Sequence, residues 1–168
     1  MYLKVGLIGC ANTALKNFIP LIQISDFAKL KFIASRSSTK AKEWAKRFHC
    51  ERFGSYDEIV ESDVDIIYMP LPVGLHEEWN IKAARSGKHI LCEKSSTSSY
   101  ESAKKILKVC RENNVRILEA FSYRFHPQHN HVQKLIKNDI GIVKNFVGKF
   151  GFSPPSKNNI RWDKKLEG

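Results

Sequence analysis

The chain predicts an α/β fold, a doubly wound parallel sheet followed by the beginning of a second, α+β region. Three observations predict it. Short runs at Val5–Ile8, Leu30–Ala34, Ile66–Met69, His89–Cys92 and Val115–Ala120 are nearly continuous in apolar character, as strands buried on both faces should be. Amphipathic stretches alternate with those runs, the pattern of a parallel sheet covered by helices. The polar and small residues with chemical interest follow the C-terminal ends of the runs, which share one edge in a parallel sheet.

Each element has a local reason. Ala41, Trp44, Ala45 and Phe48 repeat at helical spacing, as do Ala103, Ile106, Leu107 and Cys110, so each set lines one helix face. Ser55 with Glu58, and Ser98 with Glu101, fit capping boxes at two helix starts. Gly87 is placed to close the helix before His89, and Pro20 should kink or end the first helix near Ile19. Beyond Ala120 the character changes. Phe121–Pro127 is aromatic and polar, Gln128–Lys137 predicts a short helix, and Ile142–Phe152 predicts a strand. Ser153–Asn159 predicts a loop. A lone strand after a finished sheet has nothing to pair with, which suggests a second domain that only begins here. The expected division is 1–121 for the first domain and 122–168 for the linker and the incomplete second.

Composition narrows the class. The 168 residues suffice for one packed domain plus a fragment, and an apolar content of 42% is ordinary for a globular protein. No stretch approaches the ~20 apolar residues that span a bilayer, and the start has no secretion-signal pattern. Cys10, Cys50, Cys92 and Cys110 form no CxxC pair. Reduced thiols in a cytoplasmic protein are the expectation. The net charge of +11 is weighted toward the end, with ten basic and four acidic side chains in residues 116–168. No basic run reaches five residues, so a lysine-rich surface is expected rather than a nucleic-acid site. His126, His129 and His131 lack Cys, Asp or Glu nearby and fit no zinc template, so no metal site is expected.

Five positions carry chemistry. Gly9, Cys10, Ala11, Asn12 and Thr13 lie between the first strand and first helix, with Ala14 beyond. Backbone must approach a pyrophosphate closely at such a junction, so small residues are needed. Ser35 and Arg36 follow the second strand, with Lys40 a turn later. A NAD site usually has an acidic residue there. A hydroxyl with two cations instead suits an adenosine 2′-phosphate, so NADP is expected, with NAD as the alternative. Pro70, Leu71 and Pro72, with His76 after them, form a stiff loop that can pack against a cofactor ring. Glu93 and Lys94 deliver two charges to the sheet rim. Such charges are costly unless they pair or meet a ligand, and a lysine there can hydrogen-bond a substrate oxygen. Glu119, a candidate cofactor contact, opens the block Glu-Ala-Phe-Ser-Tyr-Arg-Phe-His-Pro-Gln, which holds Tyr123 and Arg124 as candidate substrate residues.

These residues together resemble the Gfo/Idh/MocA family of nicotinamide-dependent oxidoreductases, and especially its subgroup with dihydrodiol and xylose dehydrogenases. The carriers are Gly-Leu-Ile-Gly-Cys-Ala-Asn at 6–12, Ala-Ser-Arg at 34–36 and Tyr-Met-Pro-Leu-Pro at 68–72. Leu-His-Glu-Glu-Trp at 75–79, Gly-Lys-His-Ile-Leu-Cys-Glu-Lys at 87–94 and the 119–128 block complete them. The resemblance implies a Rossmann domain followed by a larger open-sheet domain that binds substrate and builds a homo-oligomer. It implies Lys94 as the catalytic or substrate-orienting lysine, and Gly9 to Thr13, Ser35, Arg36, Leu71, His76 and Glu93 at cofactor contacts. It also implies a small-molecule substrate, a sugar or related polyol oxidised at a carbinol or reduced at a carbonyl.

Three departures stand out. Ser95 occupies a position where the family usually has Pro, and Val73 one where Asn is common. The family continues past the equivalent of Gly168 into a Gly-rich stretch with an Asp and then a His or Tyr. Ile160-Arg161-Trp162-Asp163 resembles the lead-in to it. The reading is therefore the cofactor-binding half of an NADP-dependent oxidoreductase, with turnover expected to need the rest. A non-catalytic nucleotide-binding module is the alternative.

Overall fold

The computed structural model describes residues 2–151, 153, 159, 162 and 163. The chain divides into two compact units, residues 1–120 with 160–168, and residues 121–159. In the first unit β1 (Leu3–Ile8) runs through a wide π turn (Ala14–Phe18) into α1 (Ile19–Gln23). Then come β2 (Ala28–Ala34), α2 (Ser38–Arg47), β3 (Arg52–Gly54), α3 (Tyr56–Glu61), β4 (Ile66–Met69), α4 (His76–Arg85), β5 (His89–Cys92), α5 (Tyr100–Glu112) and β6 (Ile117–Glu119).

All six strands are parallel, in the order β3-β2-β1-β4-β5-β6. The order reverses between β1 and β4, so the chain turns outward in two directions from the middle of the sheet. Alternate residues of β1 face opposite layers. Ile8 packs with Ile59, Ile67, Ile90 and Ile106 beneath α3, α4 and α5, whereas Leu7 packs with Ala14, Ile19, Ile33 and Ala45 beneath α1 and α2. Leu7, Ile8, Ile33 and Ile67 are fully buried, each contributing about 1.5–3 kcal/mol over exposure.

The five strands expected up to Ala120 all form, within a residue or two at their ends. The short edge strand β3 is an addition, because Arg52-Phe53-Gly54 is too brief and polar to stand out. The proline effect takes a specific form. The Ile19 N–H bonds back to the Ala14 carbonyl, a widened turn just before Pro20, which lacks an N–H and would crowd a tighter coil. The Ser55–Glu58 capping box is present at α3. The second expected cap is displaced by one residue. Ser99, not Ser98, accepts from the Ser102 N–H, so α5 begins at Tyr100 and Glu101 closes no box. Leu107 is likewise exposed, and Val109 takes its place on the buried face. Gly87 follows α4 with φ +72°, as a helix-terminating glycine should.

In the second unit a short 3₁₀ turn (Ser122–Phe125) precedes α6 (Pro127–Leu135), which ends in a π turn (Ile136–Ile140). The strand expected over 142–152 does not form in residues 142–151. Phe152 lies outside the described residues, as do Ile160, Arg161 and most of the loop expected at 153–159. The reason is the one that made a lone strand suspect. A strand is stable only when a neighbour takes its backbone hydrogen bonds, and none of the described residues of this unit offers one. Ile142 and Phe146 are each 87% exposed. Among the described residues no helix is long and apolar enough to cross a membrane.

Candidate cofactor site at the sheet edge

The loops leaving the strands are laced together by backbone bonds across the C-terminal edge. Gly9 N–H donates to the Ala34 carbonyl at 2.8 Å, Ser35 to Gly54 at 3.0 Å, Glu93 to Met69 at 3.1 Å and Ala120 to Cys92 at 2.8 Å. Each loop therefore starts from a fixed height. The expected residues of the first unit are brought to this one edge, and Leu71 closes the gap at the reversal between β1 and β4.

Gly9 adopts φ +103°, a conformation that side chains oppose. A Cβ there would lie 2.7 Å from Leu71 Cδ2 and 3.7 Å from the Tyr56 hydroxyl. The backbone of the first turn is thus bare and walled by Leu71. That is a cradle for a group needing close main-chain approach, and it fits a pyrophosphate. Asn12 and Thr13 are exposed beyond it.

On the β2 side, Ser35 is buried, and its hydroxyl accepts from the Ser37 N–H at 3.3 Å. Ser37 caps α2 by accepting from the Lys40 N–H, which seats Lys40 on the first turn. Burial pushes the Cys10 thiol up, while the Lys40 charge and a bond with Ser35 pull it down. Burial also pushes the Tyr56 hydroxyl up, against the Arg36 guanidinium. Cys10, Ser35, Arg36, Lys40 and Tyr56 are therefore neighbours, and Arg36 and Lys40 present two exposed cations. Among them there is no carboxylate to hold ribose hydroxyls.

On the other side, Glu93 is tied inward. Its Oε1 accepts from the Tyr68 hydroxyl at 2.9 Å and its Oε2 from the Lys94 N–H at 3.4 Å. Burial, then the Glu93 carboxylate, hold the Tyr68 hydroxyl far above its ordinary pKa, so it remains a donor. Phe18 stacks on Tyr68 with ring centroids 4.1 Å apart. The Lys94 ammonium is exposed and forms no ion pair with a described residue. The Glu-Lys pair is thus not a surface salt bridge. The carboxylate anchors the loop and the ammonium is left available. The Lys94–Ser95 peptide is cis. Glu119 Oε1 accepts from the Ser96 N–H at 2.7 Å.

His76 is fully buried. Its Nδ1 lies 2.8 Å from the Ser95 carbonyl and its Nε2 2.8 Å from the Leu71 carbonyl. A neutral ring donates to only one of them. Burial lowers its pKa, and the two carbonyls raise it by less. The ring is therefore neutral near pH 7. Pro70 and Leu71 are buried and Pro72 half-buried. Burial pushes the Cys92 thiol up to about 12, leaving it an inert packing group. Tyr123 and Arg124 belong to the second unit, both exposed, with the Tyr123 ring against Phe121 and His129. Among the described residues no group of three His, Cys, Asp or Glu could hold a metal ion.

Three participants were not expected. They are Tyr56 beside Arg36, Tyr68 beneath Glu93, and Asn80 beneath the Lys94 loop. Only Asn80, four residues after His76, carried a signal, since that spacing puts both on one helical face.

A parallel sheet that reverses its order at a bare glycine turn defines the Rossmann class of α/β proteins. Within that class the assignment is specific. Residues 3–121 match the GFO_IDH_MocA model, an oxidoreductase family with an NAD-binding Rossmann fold, and the chain belongs to that family. It is 34% identical over 168 residues to dTDP-3,4-didehydro-2,6-dideoxy-alpha-D-glucose 3-reductase of Actinomadura kijaniata, covering 99% of this chain and 51% of the relative. It is 35% identical over 166 residues to D-xylose 1-dehydrogenase (NADP(+)) 2 of Haloferax volcanii, covering 97% and 51%. A solved mutant of a 3-ketoreductase from Actinomadura kijaniata, in complex with TDP-benzene and NADP, superposes with a TM-score of 0.92 at 34% identity. That match covers 98% of this chain and 51% of the other. The chain spans about half the length of the curated relatives it matches.

Proposed function

We propose that this chain is the cofactor-binding part of an NADP-dependent oxidoreductase acting on a sugar or related polyol or carbonyl compound. The observation that carries the reading is the end of β2. Ser35, Arg36 and Lys40 follow β2 beside the Gly9 turn, and none of residues 34–40 is a carboxylate, which suits a 2′-phosphate and disfavours bare ribose hydroxyls. The relatives support it, since one is a xylose dehydrogenase using NADP(+) and a solved neighbour holds NADP with a TDP compound.

The residues divide the work. Gly9 and the bare backbone after it receive the pyrophosphate, and Leu71 bounds the space between the adenosine side and the Lys94 side. The nicotinamide, when bound, supplies or accepts the hydride. Lys94 donates a hydrogen bond from its ammonium to the substrate oxygen and so favours the charge that develops there. Glu93, held by Tyr68, keeps the start of that loop in place. Tyr123 and Arg124 are assigned to the substrate, and a reducing cytoplasm suits the four free thiols.

The test is a fluorescence titration of the chain with NADPH and NADH. Arg36→Ala should weaken NADPH about tenfold to a hundredfold, the worth of charge-assisted bonds to phosphate, and leave NADH within about twofold. Equal losses would remove the 2′-phosphate assignment. Cofactor binding with no turnover on a sugar panel by the chain extended beyond Gly168 would favour a non-catalytic module.

A further inference from the structure

We propose that His76 is a positioning residue for Lys94, a buried strut that sets the distance between the cofactor turn and the lysine loop. The proposal rests on the reading of this edge as a nicotinamide dinucleotide site. His76 opens α4, and no part of its ring reaches the surface, so it is not itself a catalytic group. Its two nitrogens meet carbonyls of two different loops, Leu71 after β4 and Ser95 after β5, both at 2.8 Å.

The two ends of this strut are the informative part. Leu71 is the side chain that fills the space a Cβ on Gly9 would need. Ser95 is the residue directly after Lys94. A short path of contacts therefore runs from the Gly9 turn through Leu71 and the imidazole to the lysine. Asn80, on the same face of α4, places Nδ2 3.5 Å from the Ser96 carbonyl, and Glu119 takes the Ser96 N–H. The two residues after Lys94 are thus held by side chains from α4 and the end of β6.

The neighbours of His76 on α4 show why packing alone does not account for it. Trp79, Ala83 and Ala84 fill the same buried layer with apolar groups. A fully buried imidazole costs free energy relative to an apolar residue unless its polar edges are used. Here the ring's single N–H bonds the carbonyl of one loop while its other edge abuts the carbonyl of the second, and a leucine of similar volume would leave the bonded carbonyl without its partner.

The experiment compares two ligands. NADPH occupies the whole site, whereas 2′,5′-ADP carries the adenosine 2′-phosphate and no nicotinamide. His76→Leu should raise the NADPH Kd about tenfold and leave that of 2′,5′-ADP within about twofold. A variant that merely loosened the fold would lose both equally, and that result overturns the assignment. A second readout follows Lys94 itself by the NMR signal of its ¹³C-dimethylated amine, identified by its absence in Lys94→Arg. The signal should shift in His76→Leu and stay in place in Arg36→Ala. An unmoved signal in His76→Leu also overturns the proposal. If His76→Leu does not fold, His76→Gln serves: its shorter amide cannot abut both loops at once, so the Lys94 signal should move, and an unmoved signal overturns the proposal. Wild-type chain that binds neither ligand would remove the cofactor reading, while the Lys94 signal would still decide the role of His76.

Discussion

Gly9→Ala separates the two constraints that shape the cofactor turn. The first is conformational. A φ of +103° lies well beyond the left-handed region near +57° that side chains tolerate, so an alanine there costs about 1–3 kcal/mol. The second is steric. The new methyl would sit 2.7 Å from Leu71 Cδ2, and Leu71 is buried with its carbonyl 2.8 Å from His76 Nε2. It has little room to withdraw, and overpacking of this kind costs about 1–3 kcal/mol. The sum, about 2–6 kcal/mol, is a large share of the ~5–15 kcal/mol by which a domain is stable. Two controls divide it. Gly87 has φ +72° with nothing within 4 Å of a new Cβ, so Gly87→Ala should show the conformational cost alone, about 1–2 kcal/mol. Gly6→Ala should show the steric cost alone, since its Cβ would meet Ile59 Cδ1 at 2.7 Å without a positive φ. Urea unfolding followed by circular dichroism measures all three, provided the m-values agree. If Gly9→Ala is no more destabilising than Gly87→Ala, the Leu71 wall is not where the structure puts it.

Other expectations follow from single features. Because His76 has a lowered pKa when folded, the unfolded chain binds a proton that the native one refuses. Stability should fall as pH drops below about 6.5, by up to about 1.4 kcal/mol per pH unit, until the folded pKa is reached. His76→Gln should flatten that limb of a pH–denaturation series, and an unchanged limb would assign it to other groups. Ser99→Ala should destabilise by about 1 kcal/mol and Ser98→Ala by almost nothing. Equal effects in thermal melts would return the cap of α5 to doubt. Ile142, Phe146 and Val147 are largely exposed, so the 168-residue chain should self-associate at high concentration, and Phe146→Ser should reduce this. A monomer at all concentrations in sedimentation velocity would count against it.

The parallel sheet was legible because its strands are buried on both faces, and the apolar runs at Ile66–Met69 and His89–Cys92 announce that without reference to partners. Ser55–Glu58 was legible because a capping box is local chemistry. The second cap was not, since Ser98 and Ser99 are equally suitable hydroxyls and only the seating of α5 on its neighbours chooses between them. Strand β3 was hidden for a related reason. Arg52-Phe53-Gly54 pairs with β2 through its backbone, and backbone pairing leaves little trace in side chains. The strand expected from residue 142 shows the converse, since β-forming side chains cannot make a strand without a partner edge.

The residue types at the ends of the strands, on which the proposed 2′-phosphate preference rests, were determined by sequence, because glycine, arginine and lysine carry their chemistry wherever they fall. What only the tertiary structure decided is how those residues are held. Glu93 binds the Tyr68 hydroxyl rather than the Lys94 ammonium, and the two His76 nitrogens each lie against a loop carbonyl. Both outcomes depend on distances between loops that are remote in sequence, and such distances exist only once α4 has packed against the sheet.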